Sequence, residues 1–185
     1  MFALTPRLTL RPGWPEDAPA LARAIGHESV VRNLSRAPWP YALADAQAFL
    51  ALPCGPHEAR FQICERFGEH RLIGGAALHR DEHGAWEIGY WLTPGAWGRG
   101  YATEAGRAVL DIARHALGLR RVAGRHFVDN SASGHVLRKL GLVETGPRSR
   151  LHAMSRGGDV ECIDFAIDLR DDAAEGDPAT MPIAA

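Results

Sequence analysis

The stretch "WLTPGAWGRGYATEAG", residues 91–106, constrains the fold of this chain more than any other. An apolar, strand-like segment passes through Pro94-Gly95 to glycines at 98 and 100, then runs directly into a helical pattern. Glycine inside a helix costs roughly 0.5–1 kcal/mol relative to alanine, so two at a helix mouth need a reason. A tight strand-to-helix turn is one. The other is an anion site, because a helix start leaves about four backbone N–H groups without intrahelical partners and carries partial positive charge. Arg99 adds a cation between the two glycines. A P-loop is excluded, since no Gly-Lys-Ser/Thr follows. The dinucleotide pattern G-x-G-x-x-G fails as well: Thr103 stands at the third glycine position, and the preceding strands read as a meander.

The segments around this stretch alternate between two periods. "RLTLRP" (7–12) has the period of two of a strand, stopped by Pro12 and Gly13. "PEDAPALARAIGHESVVRNL" (15–34) reads as a helix with acidic residues in its first turn. "APWPY" (37–41) is irregular and rigid, and "ALADAQAFLAL" (42–52) is a second short helix. Residues 59–67, 70–80 and 84–92 form three strands with tight links, an antiparallel meander. Over 102–117, Ala102, Ala105, Val109, Ile112, Ala113 and Ala116 share one face of an amphipathic helix. A strand at 120–128 and a helix at 131–142 follow, with Gly141 placed to cap that helix. "GLVETG" and "ECIDFAIDL" read as a final strand pair around the polar loop 147–159.

This order predicts one mixed α/β (α+β) domain over residues 1–170, and the tail 171–185, acidic and small, reads as disordered. A length of 185 residues suits a single core. A net charge of −1 supplies no field for nucleic acid or membrane, and no run approaches the ~18 apolar residues that span a bilayer. Three cysteines without C-x-x-C spacing argue against disulfides or zinc and point to the reducing cytoplasm. No pair of the nine histidines has metal-site spacing, so no metal is expected.

"EIGYWLTPGAWGRGYATEAGRAVLDIA" followed by "GLRRVAGRHFVDNSASGHVLRKLGL" resembles the GNAT superfamily of acetyl-coenzyme A-dependent N-acetyltransferases, and within it the RimJ/RimL-like branch of ribosomal-protein N-terminal acetyltransferases. "TPRLTLRP" and "WPYALADAQAFL" fit the same branch, so the likeness spans about residues 4 to 168. The resemblance implies a twisted, mostly antiparallel mixed sheet with helices on both faces. It implies acetyl-coenzyme A as co-substrate, with its diphosphate on the main-chain amides of Gly98, Arg99, Gly100, Tyr101, Ala102 and Thr103. Trp97 stands where the superfamily usually has a basic or amide residue, as is usual in this branch. The strand through Trp91, Leu92 and Thr93 would pair with the pantetheine arm.

Acetyl transfer to an amine needs a neutral amine, a polarised carbonyl and a proton for the departing thiolate. An α-amino group, with a pKa of ~8, needs only a modest base. Glu87 interrupts the apolar strand just upstream of the coenzyme segment, on the same face as Gly89 and Trp91. It is the candidate base; the alternative is an exposed strand carboxylate, or one paired with Arg125 or His126. Asn130 and Ser133 sit where a strand hands over to a helix, and as plain sequence they are cap residues. By resemblance, Asn130 would bond the pantetheine and Ser133 would lie near the sulfur, orienting it or protonating the thiolate. Many superfamily members carry a tyrosine acid in this helix; the aligned residue here is Leu137, which donates nothing. Trp39, Tyr41 and His79 are candidates for lining the acceptor pocket, against the alternatives of a hydrophobic latch and a surface histidine. Tyr90 and Trp91 read as core aromatics.

Two functions of different class follow: direct acetyl transfer to a primary amine, or a non-catalytic acyl-coenzyme A-binding sensor or interaction module. The acceptor would be a protein N-terminus or a small molecule, and the state a monomer or homodimer.

Overall fold

The computed structural model describes residues 1–55, 57–81 and 83–169, so the tail read as disordered lies outside the described residues. Among the described residues, nine strands form one sheet: β1 (Ala3–Leu4), β2 (Leu8–Arg11), β3 (Ala59–Glu65), β4 (Leu72–Arg80), β5 (Trp86–Leu92), β6 (Arg121–Phe127), β7 (Val143–Glu144), β8 (Ser149–Ala153) and β9 (Gly158–Asp168). Their order is β1-β2-β3-β4-β5-β6-β9-β7, with β8 also on β9. Every pairing is antiparallel except that of β5 with β6. The expected meander is β3-β4-β5.

Among the same residues, five α-helices cover the two faces: α1 (Ala18–Ile25), α2 (Glu28–Val31), α3 (Leu43–Ala51), α4 (Tyr101–Asp111) and α5 (Ser131–Lys139). Alternation along the strands sends Phe61, Ile63, Ala76, Leu78 and Ile88 to one face, where they meet Ala105 and Val109 of α4 and Leu137 of α5 in the main core. The opposite face carries Trp91, which packs against two smaller clusters. One is built on Ile25, Val30, Val31 and Ala37, the other on Ala18, Leu21 and Ala46. The amphipathic stripe of α4 therefore packs as its sequence predicts. Its last turn departs from the regular pattern, since Ile112–Ala116 widens into a π-helical turn.

Three details differ from the sequence reading. The single helix expected over 15–34 is broken: α1 ends at Gly26, whose N–H donates to Ala22 O at 2.9 Å, and His27 is extended before α2. The polar loop 147–159 contains a strand, β8, which forms a hairpin with the first half of β9. A short edge strand, β1, precedes β2. The two short strands gain order through pairing with a neighbour, which local pattern does not report.

β4 and β5 approach closely where Gly74 opposes Leu92. A Cβ on Gly74 would collide with the Trp91 carbonyl oxygen, a backbone atom that cannot rotate away. Gly74→Ala is therefore expected to lower stability by about 1–3 kcal/mol in chemical denaturation. The Trp91 fluorescence should change with it.

Candidate active site

β5 and β6 run parallel and share a single register pair, Glu87 with Ala123. Beyond it the two strands diverge, and Gly89, in the middle of β5, is left partly exposed. Parallel strands put their carboxyl ends at the same end of the sheet. β5 leads from that end into α4, and β6 into α5, so both helix N-termini open towards the same gap. Crevices of this type, at the carboxyl ends of diverging strands, are natural ligand sites.

The loop into α4 is held in a shape that bares its amides. Gly98 and Gly100 have φ of 71° and 79°, in the left-handed region that side chains disfavour. Residues 97–100 are exposed, and the first turn of α4 leaves its N–H groups unpaired within the helix. Trp97 turns its indole back, donating from Nε1 to Leu92 O at 2.8 Å, which closes the turn and explains the residue found there. That carbonyl, expected on the pantetheine strand, already has a partner.

Glu104, one turn into α4, braces this loop from below. Its Oε1 accepts from Thr5 Oγ1 at 2.6 Å and from Arg7 N at 2.8 Å, and its Oε2 from Arg7 Nε at 2.6 Å. Arg7 also donates to Arg99 O at 3.0 Å, and its guanidinium lies over the Tyr101 ring. Arg99 itself reaches Glu65 at 3.9 Å. Burial pushes the Glu104 carboxyl up, but the bonds from Thr5 and Arg7 outweigh it and hold it below its ordinary value. Sequence reasoning missed this clamp because Glu104 and its partners lie 97 to 99 residues apart.

Across the gap, Asn130 caps α5. Its Oδ1 accepts from Ser133 N at 3.3 Å, and its Nδ2 donates to Ser133 Oγ at 3.0 Å. The Ser133 hydroxyl thus keeps its own proton to donate. Tyr90 spans the gap: its hydroxyl donates to Ser133 O at 2.9 Å, and burial raises its pKa above the ordinary tyrosine value. Sequence reasoning assigned Tyr90 to packing alone, although a buried tyrosine hydroxyl needs a partner. Leu137 is buried in the main core.

The face under α1–α3 holds the remaining candidates. His79 pairs in register with Glu87, and its Cε1 lies 3.7 Å from where a Cβ on Gly89 would stand. Glu87 Oε2 meets Arg125 Nε at 2.8 Å, the pairing that its sequence left open. Asp81, at 3.2 Å, and Asp164, at 3.7 Å, approach the same guanidinium. Tyr41 packs in both small clusters beside Trp91, and burial, with the charge of Asp45, pushes its pKa up to about 12. Trp39 is 42% exposed, so the structure brings Tyr41 but not Trp39 into the packed wall.

A polar bridge bounds this side. Met154 N donates to Ser35 O, Ser155 Oγ to Val31 O, and Arg156 Nε to Arg32 O, while Arg156 also pairs with Asp129 at 2.9 Å. The turn after β8 is thereby tied both to the end of α2 and to the residue before Asn130.

Because the folded-state pKa of Glu104 is depressed, its stabilisation is complete above the ordinary value of 4.5 and is lost as pH falls through the folded one. Glu104→Gln should lower stability at pH 7 by about 2 kcal/mol and flatten the acid limb of a stability-versus-pH curve.

Among the described residues, no group of three or more histidine, cysteine or acidic side chains is placed to hold a metal ion, and no helix is long and apolar enough to cross a membrane. Comparison with known proteins matches residues 7–143 to the acetyltransferase (GNAT) domain. The uncharacterised N-acetyltransferase YoaA of Bacillus subtilis (strain 168) is 33% identical over 149 residues, 77% of this chain and 82% of that protein. A GNAT-family acetyltransferase from Bacillus anthracis has a crystal structure that superposes with a TM-score of 0.78 at 22% identity, covering 92% of this chain and all of that one. RimL, a ribosomal L7/L12 α-N-protein acetyltransferase solved with coenzyme A, superposes with a TM-score of 0.72 at 18% identity, over 91% of this chain and 98% of that one. With the matched domain spanning most of the chain, and the strand gap lying between two helix N-termini, this protein belongs to the GNAT family of acetyl-coenzyme A-dependent acetyltransferases.

Proposed function

We propose that this enzyme moves the acetyl group of acetyl-coenzyme A directly to a primary amine, on a protein N-terminus or a small molecule. The observation that carries the proposal is the gap between β5 and β6, flanked by bared amides at one helix start and by a serine hydroxyl at the other. The residues present suit the co-substrate. An extended pantetheine arm would run along the edge of β5 past Trp91, Leu92 and Thr93, where the Leu92 carbonyl is already bonded by Trp97 and the Thr93 N–H by Ile73 O. A diphosphate fits the amides of residues 98–103, where the two left-handed glycines leave room and Arg99 adds charge.

In this reading Asn130 and Ser133 stand at the thioester end. Asn130 orients Ser133, and the Ser133 Oγ–H serves as the proton donor to the departing thiolate. The acceptor enters on the face of His79, Tyr41 and Trp91, with Trp39 at its outer rim. Glu87 contributes its charge at the last shared register of the two strands, held in place by Arg125. No cysteine lies in these segments, which favours direct transfer over an acetyl-cysteine route. The three free cysteines also suit a reducing, cytoplasmic location. The likeness to RimL supports a RimJ/RimL-like branch, while a shared fold and donor site leave the acceptor open.

Thiol release measures the reaction. With acetyl-coenzyme A and a panel of free-N-terminus peptides and small primary amines, at least one acceptor should drive coenzyme A release. Binding without turnover on every amine would instead leave an acyl-coenzyme A-binding module. Gly100→Glu, which puts a carboxylate and a strained side chain at the diphosphate amides, should weaken acetyl-coenzyme A binding on the order of 100-fold by calorimetry. Undiminished affinity would remove the donor site itself from consideration.

A further inference from the structure

We propose that His79 is the group that takes the proton from the incoming amine, with Glu87 held as the fixed charge beside it. The inference rests on the acetyl-transfer reading above and assigns a step that the reading leaves open.

The geometry begins with the sheet. His79 sits directly across from Glu87 on the neighbouring strand, so both side chains rise from the same face. The imidazole leans over Gly89, the residue on β5 just past the last pairing with β6. Gly89 has no side chain to fill the space, and both it and His79 remain partly exposed. An amine that reaches a thioester at Gly89 from the α1–α3 face comes beside the imidazole, whose Cε1 lies 3.7 Å from the position of a Gly89 Cβ. The Glu87 carboxylate is already engaged by Arg125 at 2.8 Å.

The surrounding charges keep the ring ready to accept. Burial, then the positive charge of Arg36, holds His79 below the ordinary histidine value of 6.5; Arg125 adds to this, while Glu58 and Asp81 oppose it. Glu87 faces it across the strand pair, and Arg60, on the same face of β3, is committed to the carbonyls of Phe49, Leu52 and Pro53. At neutral pH the ring is therefore uncharged and has a lone pair to offer.

The protons balance without another reactant. One leaves the ammonium for the His79 ring and passes on to solvent. The neutral nitrogen bonds to the acetyl carbon, the carbon–sulfur bond breaks, and its electron pair leaves on sulfur. The second nitrogen proton passes to solvent as the amide forms, and the thiolate takes one proton, either from solvent or from Ser133 Oγ–H, whose oxygen then regains one from solvent.

Two variants, His79→Ala and His79→Gln, test the assignment on the full chain, with a free-N-terminus peptide and a small primary amine as probes. Both should fold with unchanged acetyl-coenzyme A affinity, and both should lose about 100-fold in kcat. Added imidazole should restore part of the His79→Ala activity, which a merely structural histidine would not permit. Independently of turnover, NMR of the free protein should show the ring resonance missing from His79→Gln titrating below 6.5. A kcat within threefold of the parent in both variants, absent imidazole rescue, or a ring protonated at pH 7 would overturn the proposal. A parent enzyme that releases coenzyme A with neither probe would remove the acetyl-transfer reading, and His79 with it; turnover by the parent with fully active variants would remove His79 alone.

Discussion

The divergence of β5 from β6 is the constraint on which the rest of this structure depends. Two parallel strands that paired along their whole length would satisfy their backbone groups on each other and leave no site. Here they share the Glu87–Ala123 register alone, and the gap beyond it exposes strand edge in the middle of a nine-stranded sheet. Unpaired backbone in a protein interior is costly, so a gap of this kind is stable only where something else supplies partners. An extended, amide-bearing arm of a co-substrate meets that requirement. The gap is kept from closing or collapsing by connections that cross it: the Tyr90 hydroxyl on the Ser133 carbonyl, and the Arg125 guanidinium shared among Glu87, Asp81 and Asp164.

The same divergence separates the chemistry into two sides. On one face, α4 and α5 pack their apolar stripes into the main core and present their N-termini at the gap, where anions are favoured. On the other, α1–α3 cover Trp91, and His79 stays partly exposed beside the largely enclosed Glu87 and Arg125. In the proposed reading, the donor site is thus made largely of backbone and the acceptor side largely of side chains. A family that keeps its backbone geometry can therefore hold one donor while changing its acceptors. The bridge from the β8–β9 turn to the end of α2 then limits how wide the acceptor side can be.

Electrostatics at the two sides differ in kind. The Arg7–Glu104 clamp is a small network of charge-assisted hydrogen bonds, and it fixes the N-terminal strand segment to the loop that carries Gly98 and Gly100. It ties the loop through the Arg99 carbonyl, and its guanidinium reaches within 3.5 Å of the position of a Gly100 Cβ. The Arg125 cluster is more enclosed and places three carboxylates around one cation next to the gap. In the proposed reading, an amine arriving as an ammonium meets favourable potential there and gives up its proton to the neutral His79 ring close by.

The local geometry of the proposed donor half was legible from residue order. Gly98-Arg99-Gly100 between an apolar strand and an amphipathic helix, and Asn130 and Ser133 at a second strand-to-helix handover, are local patterns whose backbone consequences are set within a few residues. The meander, the α4 stripe and the Gly141 cap were legible for the same reason. What only the tertiary structure decided are the pairings between distant segments. Glu87 on Arg125, Glu104 on Thr5 and Arg7, and His79 over Gly89 each join residues on separate elements, brought together by sheet register and helix packing. Sequence periodicity reports which way a side chain points, but the identity of its partner depends on which strand lies alongside and where the pairing stops. The turns proposed for the donor could therefore be read from the chain, whereas the contacts proposed for the proton path and the acceptor wall belong to the fold.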